Sequence, residues 1–266
     1  MSAPVSFRGL LTAALYVGVI ATCAGTAYYL GRDVARVEHE QIVNEENPEL
    51  DALRKAFGPS KNSRDAEEWI IRDFFGDERG GVFADVGANH HQQDSNTYYL
   101  EKVLGWSGVA IEPQTKFAEG YKQNRPRTMF VPLFVSDVSN TEATLYLSGN
   151  DLVASGSREF TQSFGRGATP TSVTTTTLDD VLERLNVTRI DFLTMDIELA
   201  EPQALTGFAI DRFKPRLVCI EAHEPVRQQI LEYFARHDYV MLGKYWLADS
   251  ENFWFAPLAD SAAHAR

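Results

Sequence analysis

The stretch Val82-Phe83-Ala84-Asp85-Val86-Gly87-Ala88-Asn89, read with Gly108-Val109-Ala110-Ile111-Glu112-Pro113, decides the fold of this chain. Each segment is a short apolar run that ends in an acid, and a helical stretch lies between them. A glycine just past the first strand lets the backbone approach a ligand closely, because no Cβ intervenes. The following helix aims its free N–H groups at the same place. An acid at the tip of the neighbouring strand, Glu112, can accept hydrogen bonds from both hydroxyls of a ribose. A dinucleotide site would carry G-x-G-x-x-G. Here Asp85-Val86-Gly87 stands alone, and His90 and His91 occupy the place of further glycines. An acid in the turn repels a pyrophosphate but holds an amino group, which favours S-adenosylmethionine over NAD. The bland alternative is an ordinary turn in a core.

On either side of this pair, strands and helices alternate from Gly81 to the closing segments. Trp69, Ile70 and Phe74 form an apolar stripe at helical spacing, with Ser63 as an N-cap candidate ahead of them. Met129–Val135 reads as a third strand with Ser136-Asp137 at its tip, and Thr144–Leu147 as an added edge strand. Residues 149–173 are rich in Gly, Ser and Thr without a period, which suits a loop over a site. Thr177–Leu185 is an amphipathic helix, and Ile190–Met195 a buried strand that ends in Asp196. Pro202 fits the start of a helix running to Phe208. Leu217–Ile220 is a buried strand ending in Glu221 and His223, Gln228–Arg236 is helical, and Tyr239–Leu247 with Phe253–Phe255 makes a closing hairpin. This alternation implies a doubly wound α/β sheet, mostly parallel, with helices on both faces and ligands at the strand tips.

The chain has 266 residues, enough for one α/β domain and an appendage. Its net charge of −12 argues against nucleic acid as a partner, since phosphate neutralisation needs clustered cations. Of two cysteines, Cys23 lies in the N-terminal apolar run and Cys219 in a buried strand, so a disulfide is not expected. Residues 9–31 carry no charge between Arg8 and Arg32. As a helix they would extend about 35 Å, against a hydrocarbon core of about 30 Å. A cleaved signal peptide is the competing reading; the length of the run favours an uncleaved single-pass anchor. The flanking Arg8, Arg32 and Arg36 barely choose an orientation. A cytosolic cofactor does choose: it places the large domain in the cytoplasm, and the sequon Asn186-Val187-Thr188 is then coincidental.

Asp85, Glu112, Asp137, Asp196, Glu198 and Glu221 all fall at or just past a strand tip, where a doubly wound sheet converges on one crevice. With these residues the chain resembles the FkbM family of S-adenosylmethionine-dependent methyltransferases. The resemblance is carried by Phe83 to Asn89, Ser95-Asn96-Thr97, Gly105-Trp106-Ser107-Gly108 and Ile111-Glu112-Pro113. It continues through Thr176 to Leu182, Ile190 to Glu198, Ile220-Glu221-Ala222-His223 and Gly243, over residues 65–256. It implies a class I methyltransferase fold with a seven-stranded Rossmann-like sheet, and O-methylation of a hydroxyl. The family pattern D-x-E-G-x-E is broken here by Leu199 in place of its glycine, with Glu198 and Glu201 kept.

By resemblance and position, Asp85 and Gly87 would hold the methionine end of the cofactor, Glu112 the ribose and Asp137 the adenine amine, with Asn89 a further cofactor-binding residue. Asp196, Glu198 and His223 are the candidates for orienting the acceptor and removing its proton. His90 and His91 would shape the cofactor entrance. Asp196, Glu198 and Glu221 would also offer hard oxygen ligands to a divalent metal. The resulting layout is a tail at 1–8, a transmembrane helix at 9–31, a polar linker at 32–62, the methyltransferase domain at 63–258 and a disordered tail at 259–266. The expected acceptor is a small molecule or a sugar, lipid-linked where the anchor matters. A catalytically silent, membrane-anchored binding protein on the same fold is the competing reading, supported by Leu199. An NAD-dependent oxidoreductase is a third, and it lacks the glycines.

Overall fold

The computed structural model describes residues 47–150, 152–164 and 167–260. The expected anchor at 9–31, the tail at 1–8, the linker up to residue 46 and most of the tail at 259–266 lie outside the described residues. Among the described residues no helix is long and apolar enough to cross a membrane. The chain divides into compact units Met1–Pro48 and Glu49–Arg266, and the second holds the sheet and the site. The segment expected as linker is partly built into it. Helix α1 (Pro48–Phe57) buries Leu53 in the core beside α2 (Glu67–Phe75). Ser63 does not cap α2 directly; its hydroxyl accepts the Glu68 N–H at 3.0 Å from a loop ahead of the helix.

Seven strands make the main sheet. They are β1 (Val82–Val86), β2 (Ser107–Ile111), β3 (Thr128–Val131), β8 (Phe192–Met195), β9 (Leu217–Glu221), β10 (Tyr239–Met241) and β11 (Asn252–Pro257). Their order across the sheet is β10-β11-β9-β8-β1-β2-β3. The inner pairs are parallel, with Val86 opposite both Ile111 and Met195; β11 is antiparallel to β9 and to β10. The sheet is therefore mixed, with β11 as the reversed strand. A β-strand sends alternate side chains to opposite faces, and the two cores follow that alternation. Ala84, Val86, Leu193, Met195, Val218 and Ile220 face one cluster, and Phe83, Phe192, Leu217, Cys219 and Trp254 face the other. Cys219 is free and buried. Each fully buried Phe or Leu here stabilises the fold by roughly 1.5–3 kcal/mol.

The third strand departs from expectation. Pro132, which has no N–H to donate, ends β3, and the chain leaves the main sheet. Phe134–Val135 becomes β4 of a separate four-stranded sheet. Its other members are β5 (Glu142–Leu147), β6 (Ala154–Ser155) and β7 (Thr169–Thr176), in the order β4-β7-β5-β6, with helix α5 (Arg158–Ser163) beside β6. The expected edge strand at 144–147 is thus an inner strand of this small sheet, and much of the expected loop at 149–173 is structured. No period marks β7 in the sequence, because Thr and Ser fill both of its faces. Pro170 is tolerated there because β4 pairs only with Thr175 and Thr176, leaving its other edge free.

The expected helices are present as α3 (Tyr98–Lys102), α6 (Leu178–Arg184, capped by the Thr177 hydroxyl), α7 (Glu201–Thr206) and α9 (Glu224–Arg236). Two short ones, α4 (Ala118–Asn124) and α8 (Ile210–Phe213), add to them. Their length leaves too few turns for an apolar stripe to show in the sequence.

Candidate functional site

The chain runs from β1 outward to β3 and then returns to β8 on the other side of β1, so the order reverses between β1 and β8. Open α/β sheets bind ligands at that switch point, outside the carboxyl ends of the strands. A crevice lies there. The tips of β1, β2, β8 and β9 contribute Asp85, Glu112, Asp196, Glu198 and Glu221 to its wall, and the small sheet adds Leu145 and Ala154. The sequence anticipated this convergence for five of its six acids. Asp137 stays outside, because β4 has already left the main sheet. Its carboxylate accepts from Ser136 Oγ at 3.0 Å and from Gln203 Nε2 at 2.8 Å, and the Gln203 and Ser136 bonds hold its pKa below the usual carboxylate value.

Asp85 is buried, and burial pushes its carboxyl up to about 6, opposed by the Thr97 hydrogen bond and the charge of Arg125. Thr97 Oγ1 donates to Asp85 Oδ2 at 2.7 Å, while Arg125 Nη2 donates to that same hydroxyl at 3.1 Å. Asp85 itself is part of the crevice wall. Gly87 has φ +84°, and a Cβ on it would fall 1.8 Å from the Asp196 carbonyl oxygen. Its glycine is thus required by contact between strand tips as well as by any ligand. The N–H groups of Gly87 and Ala88 both donate to the Ile111 carbonyl, at 2.9 and 3.2 Å. The Asn89 N–H, from a left-handed residue, donates to Glu112 Oε2 at 3.3 Å, and the Gln114 N–H to Glu112 Oε1 at 2.8 Å. Burial raises the Glu112 pKa against these two bonds. The turn therefore uses its N–H groups within the protein and forms no cradle for a phosphate.

The hub of this end of the site is a residue that sequence reading passed over. Arg125 has no exposed side-chain area; its Nε meets Glu101 Oε2 at 2.5 Å, and Nη1 reaches the His91 carbonyl at 2.9 Å. It pins the segment 91–97 against β1. Nothing local marks it, since Arg125-Pro126-Arg127 reads as a basic turn and its partners are distant in sequence. His90 and His91 do not line the crevice. Nδ1 of His90 accepts from the N–H groups of Gln92 and Gln93, so the pair shapes the loop behind the wall. Arg64, at the rim, and Asn96, whose amide donates to Thr194 Oγ1 at 3.1 Å, are further wall residues missed from sequence.

At the other end, His223 Nε2 stands 3.2 Å from Glu198 Oε2 and 3.1 Å from Glu221 Oε1. Those two bonds outweigh burial and hold the imidazole up at about 10, so it is a cation at neutral pH. The Phe160 ring of α5 packs edge-on against it, with centroids 5.0 Å apart. Asp196 is exposed on the crevice wall, where partial loss of water and then the facing Glu221 carboxyl raise its proton affinity well above the ordinary value. Oε2 of Glu221 is buried, and among the described residues it has no hydrogen-bond donor other than the facing Asp196 carboxyl. Glu201, fully buried, accepts the Ile197 N–H at 2.9 Å and is raised by burial to about 7. Glu198, Glu221 and His223 have ligand atoms within 4.8 Å of one another, the one such group among the described residues. The two carboxylates already share the His223 proton, and a metal would have to displace it; the donor set fits an ion triad better than a metal.

The sequence profile described as the Methyltransferase FkbM domain matches residues 85–241, more than half of the chain. No curated protein matches. Among solved structures the chain is similar to Methyltransferase FkbM from Methylobacillus flagellatus, at 14% identity, TM-score 0.42, over 79% of this chain and 58% of that one. It is similar to an O-methyltransferase from Bacillus cereus in complex with SAH, at 12% identity, TM-score 0.39, over 84% of this chain and 96% of that one. It is also similar to a SAM-dependent O-methyltransferase from Thermotoga maritima, at 10% identity, TM-score 0.39, over 70% of this chain and 55% of that one. The chain thus spans less than two thirds of the Methylobacillus and Thermotoga proteins.

Proposed function

Because this chain belongs to the FkbM methyltransferase family, we propose that it moves a methyl group from S-adenosylmethionine to a hydroxyl oxygen of a small acceptor. The observation that carries this is that Asp85 and Glu112, from the ends of the neighbouring strands β1 and β2, meet in one crevice wall beside the switch point. The Asp85 carboxyl in the crevice wall suits the ammonium of the methionine end, and each Glu112 oxygen, with one N–H bond, keeps a lone pair for a ribose hydroxyl. A turn whose N–H groups are already used offers nothing to a pyrophosphate, which speaks against the nicotinamide reading. The mainly acidic wall also suits a cofactor of net positive charge.

When bound, the cofactor supplies a methyl group on a positively charged sulfur. An acceptor hydroxyl that takes this methyl group would have to lose its proton to a residue of the crevice wall. Asp196 is the residue we assign to it: its raised proton affinity brings a carboxylate closer to the working pH of a base. His223, already protonated, orients Glu198 and Glu221 and offsets their charge. The charge-free run at 9–31 supports tethering at a membrane, with the catalytic unit in the cytoplasm and a lipid-linked or membrane-embedded acceptor.

Calorimetric titration of the full chain with S-adenosylmethionine and S-adenosylhomocysteine tests the reading. Binding should be weakened at least about tenfold, ~1.4 kcal/mol, by Asp85→Asn. A folded protein that binds neither ligand would sink it and leave the silent binding protein.

A further inference from the structure

The crevice wall is acidic almost throughout, and it carries one cation. That residue is Arg64; every other charged side chain among the described residues of the wall is a carboxyl group. Its backbone is fixed, although the loop between α1 and α2 that bears it has no regular structure. The N–H and the amide of Asn62 both donate to Glu68 Oε2, at 2.7 and 2.9 Å. The Ser63 hydroxyl accepts the Glu68 N–H at 3.0 Å, and the Asp65 N–H donates to Glu67 Oε2 at 2.7 Å. The Asn62 carbonyl also accepts the Ser95 N–H at 3.1 Å. Ser95 begins the segment whose Thr97 holds Asp85 on β1 and whose Asn96 holds Thr194 on β8. One set of ties thus runs from the Arg64 loop to the two strand tips that flank the switch point.

The side chain, by contrast, is uncommitted. It is 61% exposed, and its one ion pair among the described residues is with Asp65, 58% exposed, at 3.7 Å. A pair so exposed holds it weakly. Its charge nonetheless reaches inward. Loss of water leads in raising the proton affinity of Asp196 and Glu198, and Arg64 opposes the rise in both. S-adenosylmethionine calls for such a group, because its methionine end bears a carboxylate as well as an ammonium. An acidic wall holds the ammonium and repels the carboxylate. The N–H groups of Gly87, Ala88 and Asn89 are already taken by Ile111 and Glu112, so the turn offers that carboxylate nothing. A guanidinium matches a carboxylate with two parallel N–H bonds.

We infer that Arg64 binds the carboxylate of the cofactor, so that two opposite charges read the methionine end: Asp85 its ammonium and Arg64 its carboxylate. The inference rests on the methyl-transfer reading above, yet Arg64 lies ahead of the family-matched residues 85–241 and belongs to this chain's own entry into α2. It lets the site refuse decarboxylated S-adenosylmethionine, which keeps the sulfonium and the ammonium and lacks only the carboxylate.

Calorimetric titration of the full chain with S-adenosylmethionine, its decarboxylated form and S-adenosylhomocysteine tests this, beside thermal melts. The unaltered chain should bind S-adenosylmethionine at least about tenfold more tightly than the decarboxylated form, a comparison that needs no variant to fold. Arg64→Gln should weaken S-adenosylmethionine at least about tenfold and leave the decarboxylated form bound as before or more tightly. Arg64→Lys, which keeps the charge without the fork, should fall between. Asp85→Asn should instead weaken both ligands, since both keep the ammonium. Both ligands are net positive, so a mere field effect of losing a cation would tighten both. S-adenosylmethionine binding that Arg64→Gln leaves unchanged or tightens overturns the inference. So does an equal loss for both ligands, or equal binding of the two by the unaltered chain; in each case the methyltransferase reading stands. A folded chain that binds none of the three ligands removes that reading first.

Discussion

Among individual side chains, the site is dominated by carboxyl groups that hold their protons too long. Asp85 is raised to about 6 and Glu201 to about 7, both chiefly by burial. A raised acid keeps its proton in the folded state after the unfolded chain has released it, so stability falls as pH climbs from the ordinary value to the raised one. His223, raised from 6.5 to about 10 by Glu198 and Glu221, contributes stability that is complete below 6.5 and lost as pH rises through 10. All three act in the same direction. Melting temperature should therefore decline between about pH 4 and about pH 10, and His223→Gln should flatten the upper part of that decline. An unchanged profile in the variant would mean that His223 is neutral in the folded protein. Leu199→Gly is a prediction of the same kind. Relief of the left-handed leucine, at φ +81°, should gain about 1 kcal/mol and loss of its contact with the main core should cost about as much, so chemical denaturation should read a net change within about 1 kcal/mol.

Between elements, what matters is how strand tips and short helices are locked together. The Arg125 guanidinium, at the end of α4, binds Glu101 of α3, the His91 carbonyl and Thr97, and through Thr97 it reaches Asp85 on β1. Removing one partner of a buried pair leaves the other charge uncompensated, at a cost of about 3–5 kcal/mol. Arg125→Met should lose stability by about that much in urea unfolding and should also weaken S-adenosylhomocysteine binding, since the segment 91–97 is no longer held. A loss below about 1 kcal/mol would show that Thr128 and the Arg127 N–H, which also serve Glu101, suffice without it. Short elements depend on such ties: α3 and α4 are too short to be stable on their own.

Across the molecule, the compact unit from Glu49 onward carries the crevice, and the apolar run at 9–31 precedes it. If that run is an anchor, the full chain should sediment with membranes and resist extraction at high salt, while a chain lacking 1–31 stays in the supernatant. Turnover of a natural membrane acceptor should fall with the deletion; undiminished turnover would remove the reason for a tether. The net charge of −12, together with the strand-tip acids along the crevice, further disposes the molecule against anionic ligands of any size.

Most strands of the main sheet were legible from local pattern, and their number came with the family resemblance. Runs such as Phe83-Ala84 and Leu217-Val218-Cys219-Ile220 are apolar enough to be buried on both faces, and glycine or an acid closes each of them. The same pattern identified the acids of the strand tips, because a strand end is a local property. The small sheet was not legible: β7 is Thr- and Ser-rich, and its pairing with β5 depends on contacts between segments distant in sequence. Nor was the exclusion of Asp137, which comes from the departure of the chain after Pro132. The order of amino acids thus sets which segments of the main sheet are strands and which residues can carry charge at their ends. Packing in three dimensions settles which of those acids meet, sets His223 between two of them, and places Arg125 behind Asp85. Burial and charge proximity govern those properties, and both arise only when distant parts of the chain are packed together.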